Sequence, residues 1–277
     1  MRPELSRRTA AAAAGLFLAL GGTAAGGGLV VRPAHVELAP VGERGATARL
    51  VVTGSGAGRI RFRIRVEDFV LSEDGQPERR DGVSGSRSAR PYLLVDPVEA
   101  VADGAAPATV LVHASLPADA SGSYWALLVI EGEPSTVEVE GREIHVAPRL
   151  LVPLTLRAGE TGHALLSKPV LEIVHSDGGS CSVLLSVENP GDVALWPRAS
   201  VTVFARRAEG AVTLAHEELP AFLSLPRSVR TFRRETPCGE AGAPGIGVYG
   251  VVRWGDAAGE KVDAVAALRP GDVRAGP

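Results

Sequence analysis

The sequence predicts an all-β protein built as two tandem β-sandwich domains. Apolar residues recur at every second position from Leu29 onward, the period of a strand with one buried face. Turn signals interrupt these runs about every 8–12 residues, as in sandwiches. No segment sustains a 3.6-residue apolar period over three turns, and 33 Gly and 20 Pro punctuate the chain too often for long helices.

Val36 and Leu38, then Leu50 and Val52, open the alternation. Ile60, Phe62, Ile64 and Val66 alternate with Arg61, Arg63, Arg65 and Glu67, which predicts a strand whose basic face is solvated. Ser72-Glu73-Asp74-Gly75 is a turn, and 76–90 is a polar, glycine-rich stretch expected to be an exposed loop. Strands are expected at 92–95 and 109–114. The nearly unbroken apolar run 122–130 suits a central strand. Ile144, Val146, Pro148, Leu150, Val152, Leu154 and Leu156 share one parity and predict one long strand. Pro148 and Pro153 place it at a sheet edge or make it switch sheets. Ala158-Gly159-Glu160-Thr161-Gly162 reads as a hinge. The domains are therefore expected at 26–158 and 159–270, with a flexible tail at 271–277. Further strands are expected at 182–188, 200–205, 229–233, 248–254 and 262–268, with a turn at Asn189-Pro190-Gly191-Asp192.

Residues 1–25 form a signal peptide by pattern: a basic head (Arg2, Arg7, Arg8), an apolar run from Ala10 to Leu20, and a small-residue cleavage site at Thr23-Ala24-Ala25. The run falls well short of the roughly 20 residues a membrane helix needs. Ser6-Arg7-Arg8-Thr9 fits twin-arginine export, and the same segment fits ordinary secretion. The mature chain is expected in the periplasm or outside the cell, without membrane insertion. A net charge of -3 gives no electrostatic footprint for nucleic acid. Cys181 and Cys238, the only two cysteines, are expected to pair in an oxidising compartment. Two buried thiols are the alternative, and a zinc site fits poorly without a nearby histidine.

Motifs for nucleophilic, metal-dependent or phosphate chemistry are missing from the sequence, and its six histidines are scattered. Glu67-Asp68 and Glu73-Asp74 lack the alternating oxygen ligands of a calcium loop and read as surface charge. Neither catalytic residues nor a metal nor a cofactor are expected, and the chain reads as a non-enzyme.

Val30-Val31-Arg32-Pro33-Ala34-His35-Val36-Glu37-Leu38 looks like the first strand of the N-terminal domain of periplasmic pilus-assembly chaperones. Arg65-Val66-Glu67-Asp68-Phe69 with Glu73-Asp74-Gly75 looks like a later strand and turn, and Gly122-Ser123-Tyr124-Trp125 like the strand after the Leu-Pro turn. The alternation from Ile144 to Leu156 is similar to that domain's final strand. In the second half, Ser186-Val187-Glu188-Asn189-Pro190-Gly191-Asp192, Leu225-Pro226-Arg227-Ser228-Val229-Arg230-Thr231-Phe232 and Gly247-Val248-Tyr249-Gly250 resemble secreted cell-surface proteins of WxL-associated systems.

The resemblance implies two immunoglobulin-like sandwiches and binding of a partner by strand addition. The strand-addition residues would be Ile144, Val146, Leu150, Val152, Leu154 and Leu156. The family's cleft arginine is matched by His35. Its cleft lysine falls near Pro153, and Arg149 lies about 13 Å away along the strand. The partner expected is another extracytoplasmic protein, a pilus or surface subunit. The alternative is a structural or adhesive envelope protein that binds a surface polymer or protein through its loops.

Overall fold

The computed structural model describes residues 28–39, 45–55, 59–72, 74–79, 87–139, 142–158, 162–167, 169–176, 180–207, 210–237, 246–256 and 259–264. The expected signal peptide, most of the segment expected as a hinge, Cys238 and the expected tail lie outside these residues.

The first sandwich contains β1 (Gly28–Arg32), β2 (Val36–Leu38), β3 (Ala46–Ser55), β4 (Ile60–Glu67), β5 (Phe69–Leu71), β6 (Pro77–Arg79), β7 (Leu93–Asp96), β8 (Glu99–Ala102), β9 (Ala108–Ala114), β10 (Gly122–Gly132), β11 (Ser135–Val139), β12 (Arg142–Val146) and β13 (Arg149–Ala158). One sheet runs β1-β3-β9-β7 and the facing sheet β2-β13-β10-β4-β8. This is the two-sheet order of an immunoglobulin-like sandwich. Among its crossings between the two sheets, the chain turns sharply from β1 to β2 and from β7 to β8, and Pro33 and Pro97 stand at these corners.

The second sandwich contains β14 (Val170–Ser176), β15 (Ser180–Asn189), β16 (Arg198–Arg207), β17 (Gly210–Leu219), β18 (Ser228–Pro237), β19 (Ile246–Asp256) and β20 (Gly259–Ala264). Its sheets run β14-β15-β18 and β17-β16-β19-β20. The all-β, two-sandwich architecture predicted from the sequence is the one observed.

Each sandwich has its own core. Leu50, Val52, Phe62, Val110, Val112, Leu128, Ile130, Val152, Leu154 and Leu156 fill the first and are sealed from solvent. Leu166, Val183, Leu185, Val187, Val193, Leu195 and Phe222 belong to the second. A third cluster joins the two: Phe69, Leu127 and Val129 of the first sandwich pack with Ala194, Leu223 and Leu225 of the second, flanked by Leu71, Trp125 and Trp196. This explains why the β10 run is almost unbroken. Ala126, Leu128 and Ile130 face the first core, while Leu127 and Val129 face the second domain, so both faces are dry.

Hydrogen bonds complete the joint. Ser123 donates its N–H to the Asp192 carbonyl at 2.8 Å, and its hydroxyl accepts from Ala194 N–H at 2.9 Å. Asn189 is fully buried and fully used: its amide donates to the Val193 and Ser224 carbonyls at 2.9 and 3.0 Å, and its oxygen accepts from Gly191 N–H at 3.1 Å. Gly191 has no room for a side chain, since a Cβ there would stand 2.2 Å from the His163 carbonyl oxygen. The region expected to hinge is thus flanked by a packed joint.

Two further expectations change. The stretch 76–90 is not simply an exposed loop. β6 pairs with β5 inside it, and Ala89 is buried, with its N–H donated to the Trp125 carbonyl at 2.9 Å. The long alternation from Ile144 to Leu156 is two strands, broken at Ala147-Pro148. β12 pairs with β11 in a hairpin, and β13 pairs with β10.

Candidate protein-binding edge

β13 is paired very unequally on its two sides. β10 matches it along its whole length, from Glu131↔Arg149 to Gly122↔Ala158. The other side is covered only by β2, in parallel, at Leu154, Thr155 and Leu156. The outer edge of residues 149–153 is therefore without a strand partner among the described residues. A proline fits this ladder without costing a bond only if its nitrogen faces outward, so Pro153 marks the open side. Leu151, two residues earlier, directs its N–H the same way.

The six expected strand-addition residues divide into two groups. Val152, Leu154 and Leu156 are fully buried in the core of their own domain, and Leu150 packs against that core half-buried. Ile144 and Val146 lie on the β11–β12 hairpin and are 45% and 44% exposed. Leu151, of opposite parity and 39% exposed, joins them as an apolar side chain beside the open edge. It went unnoticed in the sequence because it broke the expected alternation.

The two cleft candidates are not brought together. His35 lies just before β2, at the level of Pro153 by register, and stacks on Trp196 of the second domain with ring centroids 4.1 Å apart. Burial pushes its imidazole below the usual histidine range, against the opposing pull of Glu37. Arg149 stands at the far end of β13 and pairs with Glu131 at 3.4 Å. Cys181 pairs across the ladder with Thr236, two residues before Cys238.

The arginine row of β4 is neutralised along the outer sheet face. Arg61 meets Glu99 and Glu133, Arg63 meets Glu99, and Arg65 meets Glu131 and Glu67, all within 3.7 Å. Glu67, expected as surface charge, is buried and also takes Arg79 at 3.1 Å. Each guanidinium of the row thus has a carboxylate partner on this face. Asp74 serves a different contact. Arg230 of β18, only 5% exposed, reaches under the β5–β6 turn and donates to the Ser72 carbonyl at 3.4 Å. The Ser72 hydroxyl, followed by backbone hydrogen bonding and the Arg230 charge, holds the Asp74 carboxyl below its usual range. Sequence reasoning missed Trp196 and Arg230, because nothing local in the chain marks a residue that serves the other domain. Among the described residues no cluster of three or more His, Cys, Asp or Glu is placed to hold a metal, and no helix is long and apolar enough to cross a membrane.

Two immunoglobulin-like sandwiches meeting at a packed joint define the fold class of this protein. Fimbrial periplasmic chaperones recur among the solved structures similar to it. The YadV chaperone is 12% identical with a TM-score of 0.46, over 87% of this chain and 99% of that one. The Pseudomonas aeruginosa CupB2 chaperone is 13% identical with a TM-score of 0.43, over 86% and 99%. A chaperone–tip adhesion subunit pre-assembly complex from the archaic chaperone–usher Csu pili of Acinetobacter baumannii is 11% identical with a TM-score of 0.40, over 74% and 89%. No protein-family model and no curated protein matches the sequence. None of these likenesses assigns a role to a residue.

Proposed function

We propose that this chain is an exported, non-catalytic binding module that accepts an extended strand of another extracytoplasmic protein on the open edge of β13. The observation behind this reading is the unequal pairing of β13, a ten-residue ladder on one side and a three-residue one on the other. The uncovered edge offers main-chain acceptors and the Leu151 N–H, with no donor at Pro153, and strand addition uses such groups for affinity while adjacent side chains set specificity. Ile144, Val146 and Leu151 supply the apolar contacts. Val152, Leu154 and Leu156 hold the strand in place from inside. The resemblance in sequence phrases names a pilus or surface subunit as the partner, and the pattern of residues 1–25 supports export.

Site-specific photocrosslinking in the native compartment tests this. A crosslinker at position 151 is expected to capture an extended segment of another envelope protein, and one at exposed Leu94 on β7, the opposite edge, is expected to capture none. Changing Ile144 and Val146 together to Asp should abolish capture while leaving the fold intact. Capture from the exposed loop position 118 but not from 151 would favour the adhesive, loop-based alternative and overturn strand addition.

A further inference from the structure

The charges around the open edge say what kind of strand would fit it. We infer, building on the strand-addition reading, that the accepted segment is an extended strand with apolar residues at alternate positions and an acidic residue beside Arg149.

β13 itself carries only basic charge, Arg149 and Arg157, against Glu37 on β2, the strand paired beside it. On the adjoining sheet face, Arg79, Arg65 and Arg149 share two carboxylates, Glu67 and Glu131. Arg149 is the outermost of the three. Glu131 sits closer to Arg65, at 2.6 Å, than to Arg149, at 3.4 Å. The Arg149 side chain is 46% exposed, so its guanidinium has donors left for a carboxylate arriving on the next strand.

Apolar contacts on the same edge set the alternation. Leu151, two residues from Arg149, is on the same sheet face and exposed, so an added strand needs an apolar residue beside it. On the inner face, Leu150 is half-buried at the sandwich mouth and calls for a second apolar residue there. An acidic residue beside Arg149 then falls two positions from the residue beside Leu151, the spacing a strand provides. A second copy of this chain is the poorer occupant, because its own β13 has no carboxylate to stand beside Arg149.

The test uses the full mature protein and fluorescein-labelled peptides of alternating Val and Thr. They differ only in whether Asp, Ser or Lys occupies the position set beside Arg149. Anisotropy titrations are expected to rank Asp tightest and Lys weakest, with about two- to fivefold between steps. Raising the salt should narrow the ranking. Arg149→Ser should flatten it while the thermal melt stays near wild type. Equal binding of all three peptides, or a ranking that survives Arg149→Ser, overturns the charge inference and leaves strand addition standing. Failure of every peptide to bind, together with no crosslink from position 151, overturns both. A concentration-dependent dimer in sedimentation that excludes the peptides would assign the edge to a second copy instead.

Discussion

Leu223→Asp tests whether the two sandwiches are one thermodynamic unit. Leu223 is 6% exposed and lies in the cluster with Phe69, Leu127 and Val129 of the first domain. Losing its burial removes about 2 kcal/mol. A carboxyl group placed there without a partner adds roughly 1–3 kcal/mol more. The total of about 3–5 kcal/mol comes from the joint, because the first core, built on Leu128, Val152 and Leu154, is untouched. For a chain of this size each kcal/mol moves the melting temperature by about 2–4 °C, so a drop on the order of 10 °C is expected. The single transition expected of the wild type should also split into two. Differential scanning calorimetry reads both effects. Val170→Asp is the control: Val170 is 54% exposed, and a change there should stay within about 0.5 kcal/mol. If Leu223→Asp melts like Val170→Asp, in one transition at the wild-type midpoint, the two domains are not coupled through this cluster.

Val152→Asp should unfold the first domain, since Val152 has no exposure, whereas Ile144→Asp on the exposed hairpin should leave the melt unchanged; circular dichroism separates them. Burial holds the His35 imidazole below its usual range, so its contribution to stability is present above the unfolded value near 6.5 and falls as the pH drops toward the folded one. His35→Phe keeps a ring against Trp196 and should remove that acid dependence from a series of melts at different pH. Gly75→Ala should cost about 1–3 kcal/mol through its φ of +79° alone, and its Cβ would also stand 1.3 Å from Arg230 Nη1. In an Arg230→Met background the collision should vanish and the backbone cost remain, which denaturant titrations of the single and double variants would resolve. Protein taken from its native compartment should show no free thiol after denaturation, and replacing Cys181 and Cys238 with Ser should then cost about 4 kcal/mol in the chain-entropy account.

Fold class was legible because local pattern decides it. Where one face of a strand is wet, as in β4, alternation placed the strand and its buried face together. Where pairing is set by residues far away, pattern failed. β17 (GAVTLAHEEL) carries alanines, charges and a histidine, and owes its place to the β16 ladder. β14 (VLEIVHS) is apolar enough for a strand, yet nothing in it announces β15 as its partner. The joint was illegible for the same reason. Trp196, Ser123 and Arg230 look unremarkable in their own segments and acquire meaning only across the interface.

The candidate edge shows how far a parity argument reaches. Seven apolar positions on one parity from Ile144 to Leu156 correctly assign a face, but a face is defined relative to a sheet, and two different sheets are involved. On β13 the shared parity points into the sandwich, so Val152, Leu154 and Leu156 are spent on the protein's own core. On β12 the hairpin stands clear of the core, so the same parity leaves Ile144 and Val146 in solvent. Pro148 lies at the break between them, where the ladder to β10 stops and the ladder to β11 starts. What leaves residues 149–153 open is then the backbone and not the apolar row: β2 is only three residues long and reaches no further than Leu154. Lengthening β2 back toward Pro33 would close the edge, but there the chain arrives through a corner from β1 of the facing sheet. The opening is therefore written into the corner that lets the first strand cross between the sheets.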